Sequence, residues 1–266
     1  MSVIKWAGSK KRLLKDIRPY LPNKYSCYVE PFFGSGALFF SVRPDKAIVN
    51  DANEELMSMY KVLKDKGMSL LDELEKLQDE YNKLSKEDKE KYYYEKRELY
   101  NNKCSNEVEE AALFIFLNKT GFNGLYRVNK YGKFNVPWSK RDKLNLIDRS
   151  IYDCSEALER ASLYSKDFEE VCQNLPEGSF IYFDPPYHNT FTGYQQNGFT
   201  EDDQIRLFNL FKKLSDEGHY CLLSNNDTDF IKDLYKDYDI NYLYAKKLIG
   251  YKKSNEKFSE VLIKNY

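Results

Sequence analysis

A chain of 266 residues, 42% hydrophobic and 31% charged, is long enough to bury a large core and predicts one substantial domain carrying an insertion. No apolar run approaches the roughly 18 residues of a membrane span, and the start Met1-Ser2-Val3-Ile4-Lys5-Trp6 lacks a secretory leader, so a soluble, cytoplasmic protein without a membrane partner is expected. A formal net charge of −1 excludes a generic polyanion binder but hides an uneven distribution. Residues 1–24 hold seven basic groups against Asp16 alone, and residues 118–147 hold Lys119, Arg127, Lys130, Lys133, Lys140, Arg141 and Lys143 against Asp142 alone. Each segment is therefore +6, which leaves −13 for the rest of the chain. Two basic stretches on an acidic body describe a local polyanion footprint. The five cysteines, Cys27, Cys104, Cys154, Cys172 and Cys221, form no Cys-x-x-Cys pair, and His188 and His219 supply no zinc spacing. Isolated reduced thiols are expected, with neither a metal nor a cysteine nucleophile.

In chain order, Tyr25-Ser26-Cys27-Tyr28-Val29 reads as a strand, and Gly34-Ser35-Gly36 opens a helix through Ala37-Leu38-Phe39-Phe40. Ala47-Ile48-Val49 is a second strand, ending at Asn50-Asp51. Residues 53 to about 117 are charged and helical. There Leu70, Leu74, Leu77, Tyr81 and Leu84 keep a 4-3-4-3 spacing too short for a coiled coil, so they are expected to pack against neighbouring helices. The charge-dense stretch Lys86 to Arg97 reads as a solvated helix face. Tyr126 to Val136 alternates around Asn129-Lys130-Tyr131-Gly132 and predicts a β-hairpin. Phe180 to Phe183 is a further strand. The helical pattern Ile205-Leu207-Phe208-Phe211-Leu214 precedes the strand Tyr220-Cys221-Leu222-Leu223-Ser224, and Val261-Leu262-Ile263 reads as an edge strand. This alternation predicts an α/β sheet with right-handed crossovers.

Two loops at strand ends carry chemistry. Glu30-Pro31-Phe32-Phe33-Gly34-Ser35-Gly36 joins a strand to a helix, and its glycines permit a tight turn and close backbone approach by a ligand. Nicotinamide-binding folds share Gly-x-Gly, but Phe39 stands where their third glycine belongs. With Asp51 placed to hold ribose hydroxyls, a nucleoside without pyrophosphate fits better than a dinucleotide. The second loop is Asp184-Pro185-Pro186-Tyr187, which follows the apolar run Ser179 to Phe183. Its two prolines fix φ and donate no hydrogen bonds, so the loop is stiff. A carboxylate, rigid carbonyls and an aromatic face suit a flat ring bearing an amine, although the tetrapeptide alone also suits a plain turn.

These motifs, in this order, resemble the Dam-type DNA adenine-N6 methyltransferases, and most closely the members that modify GATC. The resemblance rests on Lys5-Trp6-Ala7-Gly8-Ser9-Lys10, the Glu30–Gly36 loop, Asp51, the Leu117–Asn129 segment with Phe134-Asn135-Val136-Pro137, and Asp184-Pro185-Pro186-Tyr187. It implies an α/β, Rossmann-like S-adenosylmethionine-dependent methyltransferase sheet. Residues 1–52 and 150–266 would form the catalytic domain, and residues 53–149 an inserted helical and β-hairpin target-recognition region. It further implies S-adenosylmethionine contacts at Trp6, Lys10, Glu30, Phe32, Gly34, Gly36, Asp51 and Asp184, with Lys10 on the cofactor's carboxylate and Asp167-Phe168 reading its adenine. Catalysis would fall to Asp184, Pro185, Pro186 and Tyr187. Double-stranded DNA would meet Lys5, Phe122, Asn123, Leu125, Arg127, Pro137, Lys140 and Arg141. Two departures touch this pattern: Ser9 stands where many members carry glycine, and Ser139-Lys140-Arg141 replaces a Gly-Arg-Tyr-Lys run that makes phosphate contacts.

The expected reaction follows from the chemistry of adenine, whose N6 lone pair is delocalised into the ring. Acceptors at the Asp184 carboxylate and the Pro185 carbonyl would favour a pyramidal nitrogen, and positioning would supply much of the rate. The base would first leave the duplex, with Tyr187 stacking on it. Arg127 is the residue expected to bind guanine in the major groove, beside the apolar Phe122 and Leu125. Two alternatives stand beside this reading: a methyltransferase acting on cytosine N4 or a glutamine amide, and a catalytically silent DNA-binding relative. No obligatory protein partner is evident, and a cognate restriction endonuclease is the partner class left open.

Overall fold

The computed structural model describes residues 2–103, 106–189, 198–245 and 258–266. The elements used below are, in chain order, α1 (Leu14–Ile17), β1 (Tyr28–Glu30), α2 (Ala37–Val42), β2 (Ala47–Asn50), α3 (Glu54–Asp65), α4 (Gly67–Lys83), α5 (Lys86–Asn101) and α6 (Glu107–Thr120). They continue with α7 (Arg149–Leu158), β3 (Ala161–Tyr164), α8 (Phe168–Val171), β4 (Phe180–Phe183), α9 (Glu201–Asp216), β5 (Tyr220–Asn226), α10 (Asp229–Leu234), β6 (Asp239–Ala245) and β7 (Phe258–Lys264). The chain divides into two compact units. One holds residues 1–9, 34–43 and 51–165; the other holds residues 10–33, 44–50 and 166–266.

Six strands of a seven-stranded sheet belong to the second unit, in the order β2-β1-β4-β5-β7-β6. β1 pairs in parallel with β2 and with β4, and β4 pairs in parallel with β5. β7 lies antiparallel to both β5 and β6. Phe180-Ile181-Tyr182-Phe183 is buried along its whole length, as a parallel strand covered on both faces must be. Its core joins Val29, Ile181, Phe183 and Leu223 to Leu207, Phe211 and Leu214 of α9. β1 begins at Tyr28, three residues later than the apolar run suggested. Val261–Ile263 is not at an edge: β7 sits between β5 and β6, so β6 takes the edge. Period and length alone do not separate an edge strand from an interior one.

The first unit is mainly helical, with α6 at its centre. α3, α4 and α5 all pack on α6, whose residues from Ala111 to Asn118 are buried. A helix apolar on every side has to be enclosed by others. Leu70, Leu74, Leu77 and Tyr81 form the buried stripe of α4, as their spacing predicted, while Leu84 lies just past the helix end and is only half-buried. On α5 the expected solvated face is interrupted by buried Lys89 and Tyr93. Asn53, Ser85 and Asn106 each cap a helix by accepting from a backbone N–H in its first turn.

The hairpin expected over residues 126–136 is reduced to one bridge, Val128 to Phe134, and a tight turn. In that turn Asn129 donates its amide to Lys133 and its carbonyl accepts from Gly132. The Asn135 amide donates to the Arg127 carbonyl at 3.0 Å, so both ladder bonds flanking the bridge are made, and helices take the backbone groups that face away from it. Asn101 of α5 bonds both the amide and the carbonyl of Phe134, at 2.7 and 3.0 Å, and the Tyr93 hydroxyl donates to the Val136 carbonyl at 2.8 Å. Further along, Asn82 holds both backbone groups of Leu144, and Gln78 accepts from the Leu146 amide.

Candidate active site

In the second unit the chain leaves β4 directly into Asp184. β1 and β4 are neighbours, and their connections leave to opposite sides of the sheet, since β1 leads to β2 while β4 leads to β5. Ligands of open α/β sheets bind outside the carboxyl ends of strands at such a reversal. The Asp184 carboxylate there is paired with the Lys10 ammonium at 2.7 Å, and Lys10 is only 5% exposed. Burial pushes the Asp184 carboxyl above its ordinary range, and the Lys10 charge works against that shift. Lys10, expected on a cofactor carboxylate, thus has Asp184 as a partner and also stands 4.5 Å from the centre of the Tyr187 ring. The Tyr187 hydroxyl donates to Glu260 at 2.7 Å, and burial keeps its pKa well above the usual value.

The loop is fixed by residues outside the sequence motifs. Gln204 of α9 donates to the Pro186 carbonyl at 3.0 Å, and its own carbonyl accepts from Asn225. Asn225 and Gln204 are almost fully buried. The available signal was positional: Ser224-Asn225-Asn226 places amides at the end of an apolar strand, where bland solvent exposure is not the default.

The other second-unit candidates are Glu30, Phe32, Asp167 and Phe168. Glu30 is buried and accepts from the Tyr28 hydroxyl at 2.7 Å. Phe32 packs 5.3 Å from Phe168, which is itself buried. Asp167 caps α8 by accepting from the Glu169 amide, and Arg206 bonds Asp167 at 2.9 Å while lying 4.8 Å over the Phe168 ring.

In the first unit the carboxylate of Asp51 takes two backbone amides, Gly34 at 2.8 Å and Asn53 at 3.0 Å. Burial raises its pKa and those two bonds oppose the rise. Gly34 and Gly36 have φ of +48° and +61°, the left-handed region that suits glycine. A Cβ on Gly34 would stand 2.8 Å from the Trp6 ring, so the close approach is real. Trp6 stacks on Tyr126 at 5.4 Å and on Phe114 at 6.4 Å. Asn118 closes a two-bond clamp on the Lys5 backbone, at 2.9 and 2.8 Å, and also donates to Gly124. It is a third residue that spacing did not reveal.

The candidate DNA contacts are placed in the same unit. Phe122 is 50% exposed, Asn123 is exposed with φ of +56°, and Leu125 is half-buried. Phe122 donates its amide to the Pro137 carbonyl beside the antiparallel bridge of Gly121 and Trp138, so the two expected contacts are neighbours. Arg127 is half-buried, and Asn135 orients it by accepting from Nε at 2.6 Å and from Nη2 at 3.2 Å. Lys140 and Arg141 are exposed.

Residues 6–249 match the family model of the D12 class N6 adenine-specific DNA methyltransferase. The chain belongs to that family. It is 39% identical to the type II methyltransferase M.MjaIII of Methanocaldococcus jannaschii, over 99% of this chain and 98% of that protein. It is 32% identical to the retron Ec67 DNA adenine methylase of Escherichia coli, covering 98% and 90%, and 31% identical to the DNA adenine methylase of Escherichia coli strain K12, covering 93% and 88%. This D12-class chain is therefore a DNA adenine-N6 methyltransferase. The class decides between the acceptor amines that the Asp-Pro-Pro-Tyr loop alone leaves open, in favour of adenine over cytosine or glutamine. Among its described residues no helix is long and apolar enough to cross a membrane.

Proposed function

We propose that this D12-class enzyme methylates the adenine of GATC in duplex DNA, drawing the methyl group from S-adenosylmethionine, with Asp184 as the residue that receives the flipped base. The observation that carries the reading is a buried carboxylate at the carboxyl end of β4, charge-balanced by Lys10 and continued by a clamped Pro-Pro-Tyr turn. The cofactor supplies an activated methyl group when bound. The donor set fits it: Asp51 for ribose hydroxyls, Asp167 and Phe168 for an adenine ring, and Trp6 and Lys10 from the opening motif are assigned on the resemblance. Glu30, Phe32, Gly34 and Gly36 belong to the same assignment as the loop that shapes the binding surface.

The protein's own part is positional. The Asp184 carboxylate and the Pro185 carbonyl accept the two N6 hydrogens, which frees the nitrogen lone pair for attack. Lys10 lowers the cost of keeping Asp184 ionised beside the base. Tyr187, held by Glu260, offers its ring for stacking against an extruded adenine. Residues 53–149 act in target recognition, where Arg127 reads guanine, Phe122 and Leu125 enter the base stack, and Lys5, Asn123, Pro137, Lys140 and Arg141 line the backbone. A cognate restriction endonuclease is the protein partner such an activity would serve, in the cytoplasm where DNA is reached.

The test combines two readouts. Plasmid from cells expressing the enzyme should resist a nuclease blocked by adenine methylation at GATC. Asp184→Ala should abolish tritiated methyl incorporation while a gel-shift titration shows duplex binding within about threefold, since the carboxylate meets the DNA only at the flipped base. Methyl groups mapping to another sequence would overturn the GATC assignment and leave the class intact. Substantial turnover by Asp184→Ala would place the active carboxylate elsewhere.

A further inference from the structure

We infer that His188 is a positioning residue that fixes the exit of the Asp-Pro-Pro-Tyr turn, an inference that rests on the reading of Asp184 as the receiving carboxylate. His188 is 7% exposed and directly follows Tyr187. All four of its polar atoms are engaged. Its amide donates to the Asn225 side chain at 3.0 Å, and its carbonyl accepts from Asn226 at 2.7 Å. Nδ1 lies 3.0 Å from the Thr228 hydroxyl, and Nε2 lies 3.1 Å from Glu201. The ring stacks on Phe230 at 4.7 Å.

The bonds select one tautomer. Thr228 Oγ1 already accepts from the Ile231 amide as the cap of α10, so its hydrogen is the one available to donate to Nδ1. Nε2 then carries the proton and donates to the Glu201 carboxylate, which is acceptor-only. The run Glu201, His188, Thr228, Ile231 ties the start of α9 to the start of α10 through the residue after the turn. With Gln204 on Pro186, Glu260 on Tyr187 and Lys10 on Asp184, the turn is held at four of its five residues from 184 to 188. A structural histidine far from chemistry would need none of this register. Here a shift of the exit residue displaces Tyr187 and Asp184 along a stiff proline pair.

The experiment is single-turnover methyl transfer on a duplex substrate, run beside steady-state KM for both substrates. A 2-aminopurine at the target position reports extrusion of the base. His188→Ala should lose roughly 10- to 100-fold in the chemical step, as small misplacements of a reacting group do, with both KM values within about threefold and the 2-aminopurine signal retained. His188→Gln, whose amide reaches Glu201, should recover part of the rate. Glu201→Ala is the second variant because that side chain is 66% exposed and its loss leaves the fold intact; it should show a smaller loss in the same step. Wild-type single-turnover rates in both His188→Ala and Glu201→Ala would overturn the inference. So would a rate loss in His188→Ala accompanied by equal losses in KM and DNA affinity, which a purely structural role gives. Asp184→Ala run in parallel separates the failures: if it retains turnover, the reading of Asp184 falls and this inference with it, whereas an inactive Asp184→Ala beside a wild-type-like His188→Ala removes only the role of His188.

Discussion

A carboxylate buried at the end of a parallel strand costs free energy unless a partner balances its charge, and at Asp184 that partner is the Lys10 ammonium 2.7 Å away. The balance is incomplete. Burial dominates, so the Asp184 pKa sits above the ordinary 3.8, with Glu260 adding to the rise. A folded-state pKa raised above the unfolded one makes a stability contribution that is present at low pH and is lost as pH rises through the raised value. On the role proposed for Asp184 catalysis has the opposite sign, because only the ionised form accepts the amine hydrogens. Single-turnover rate should therefore fall as pH drops through a value above 3.8. Lys10→Met should move that acid limb to higher pH, and a pH–rate profile of the two proteins checks the direction. Gly34 poses a different residue-scale question. With φ at +48° and the Trp6 ring 2.8 Å from a built Cβ, Gly34→Ala combines backbone strain with a clash. A loss of about 1–3 kcal/mol in urea unfolding is expected. A neutral result would mean that Trp6 swings aside at no cost.

Elements show where sequence patterns hold and where they stop. Buried parallel strands were legible because Phe180-Ile181-Tyr182-Phe183 has no polar position to confuse the period, and α9 because its apolar residues recur at helical spacing. The hairpin was half-legible. Its turn formed around Asn129, whose side chain accepts from the Tyr131 and Lys133 amides, as turn chemistry predicts. Its pairing stays short, one bridge with a ladder bond on either side, and its outward backbone at Phe134 and Val136 is taken by Asn101 and Tyr93 of α5, partners 33 and 43 residues away that no local pattern announces. The same limit hid Gln204, Asn225 and His188, each a polar residue whose meaning is set by an element distant in sequence. Helix α6 offers the clearest energetic test at this scale. Phe116 is fully buried, with its ring against Tyr81 and Tyr92 at 5.8 Å each and against Tyr93 at 6.4 Å. Phe116→Ala should cost about 3–5 kcal/mol through lost transfer energy and a residual cavity, read from the midpoint of chemical denaturation.

At the scale of the whole molecule, charge distribution separates two kinds of proposed DNA contact. The total of −1 conceals +6 within residues 118–147, so binding should depend on salt far more steeply than net charge suggests. Within that segment the proposed contacts divide by burial. Lys140 and Arg141 are exposed, as phosphate contacts are, whereas Arg127 is half-buried and its guanidinium is oriented by Asn135. A side chain held in one direction can carry sequence information; an exposed cation on the phosphates carries charge. Lys140→Ala or Arg141→Ala should then weaken all duplexes alike and lower the slope of log K against log salt by about 1 for each contact removed. Arg127→Ala should instead cost roughly 1–3 kcal/mol on the cognate duplex and much less on duplexes altered at the base pair it reads. Fluorescence-anisotropy titrations at several salt concentrations, on a GATC duplex and on single-base variants, distinguish the two patterns. Equal losses on every duplex for Arg127→Ala, with a reduced salt slope, would reassign it to the phosphate backbone and leave recognition to another residue of the segment.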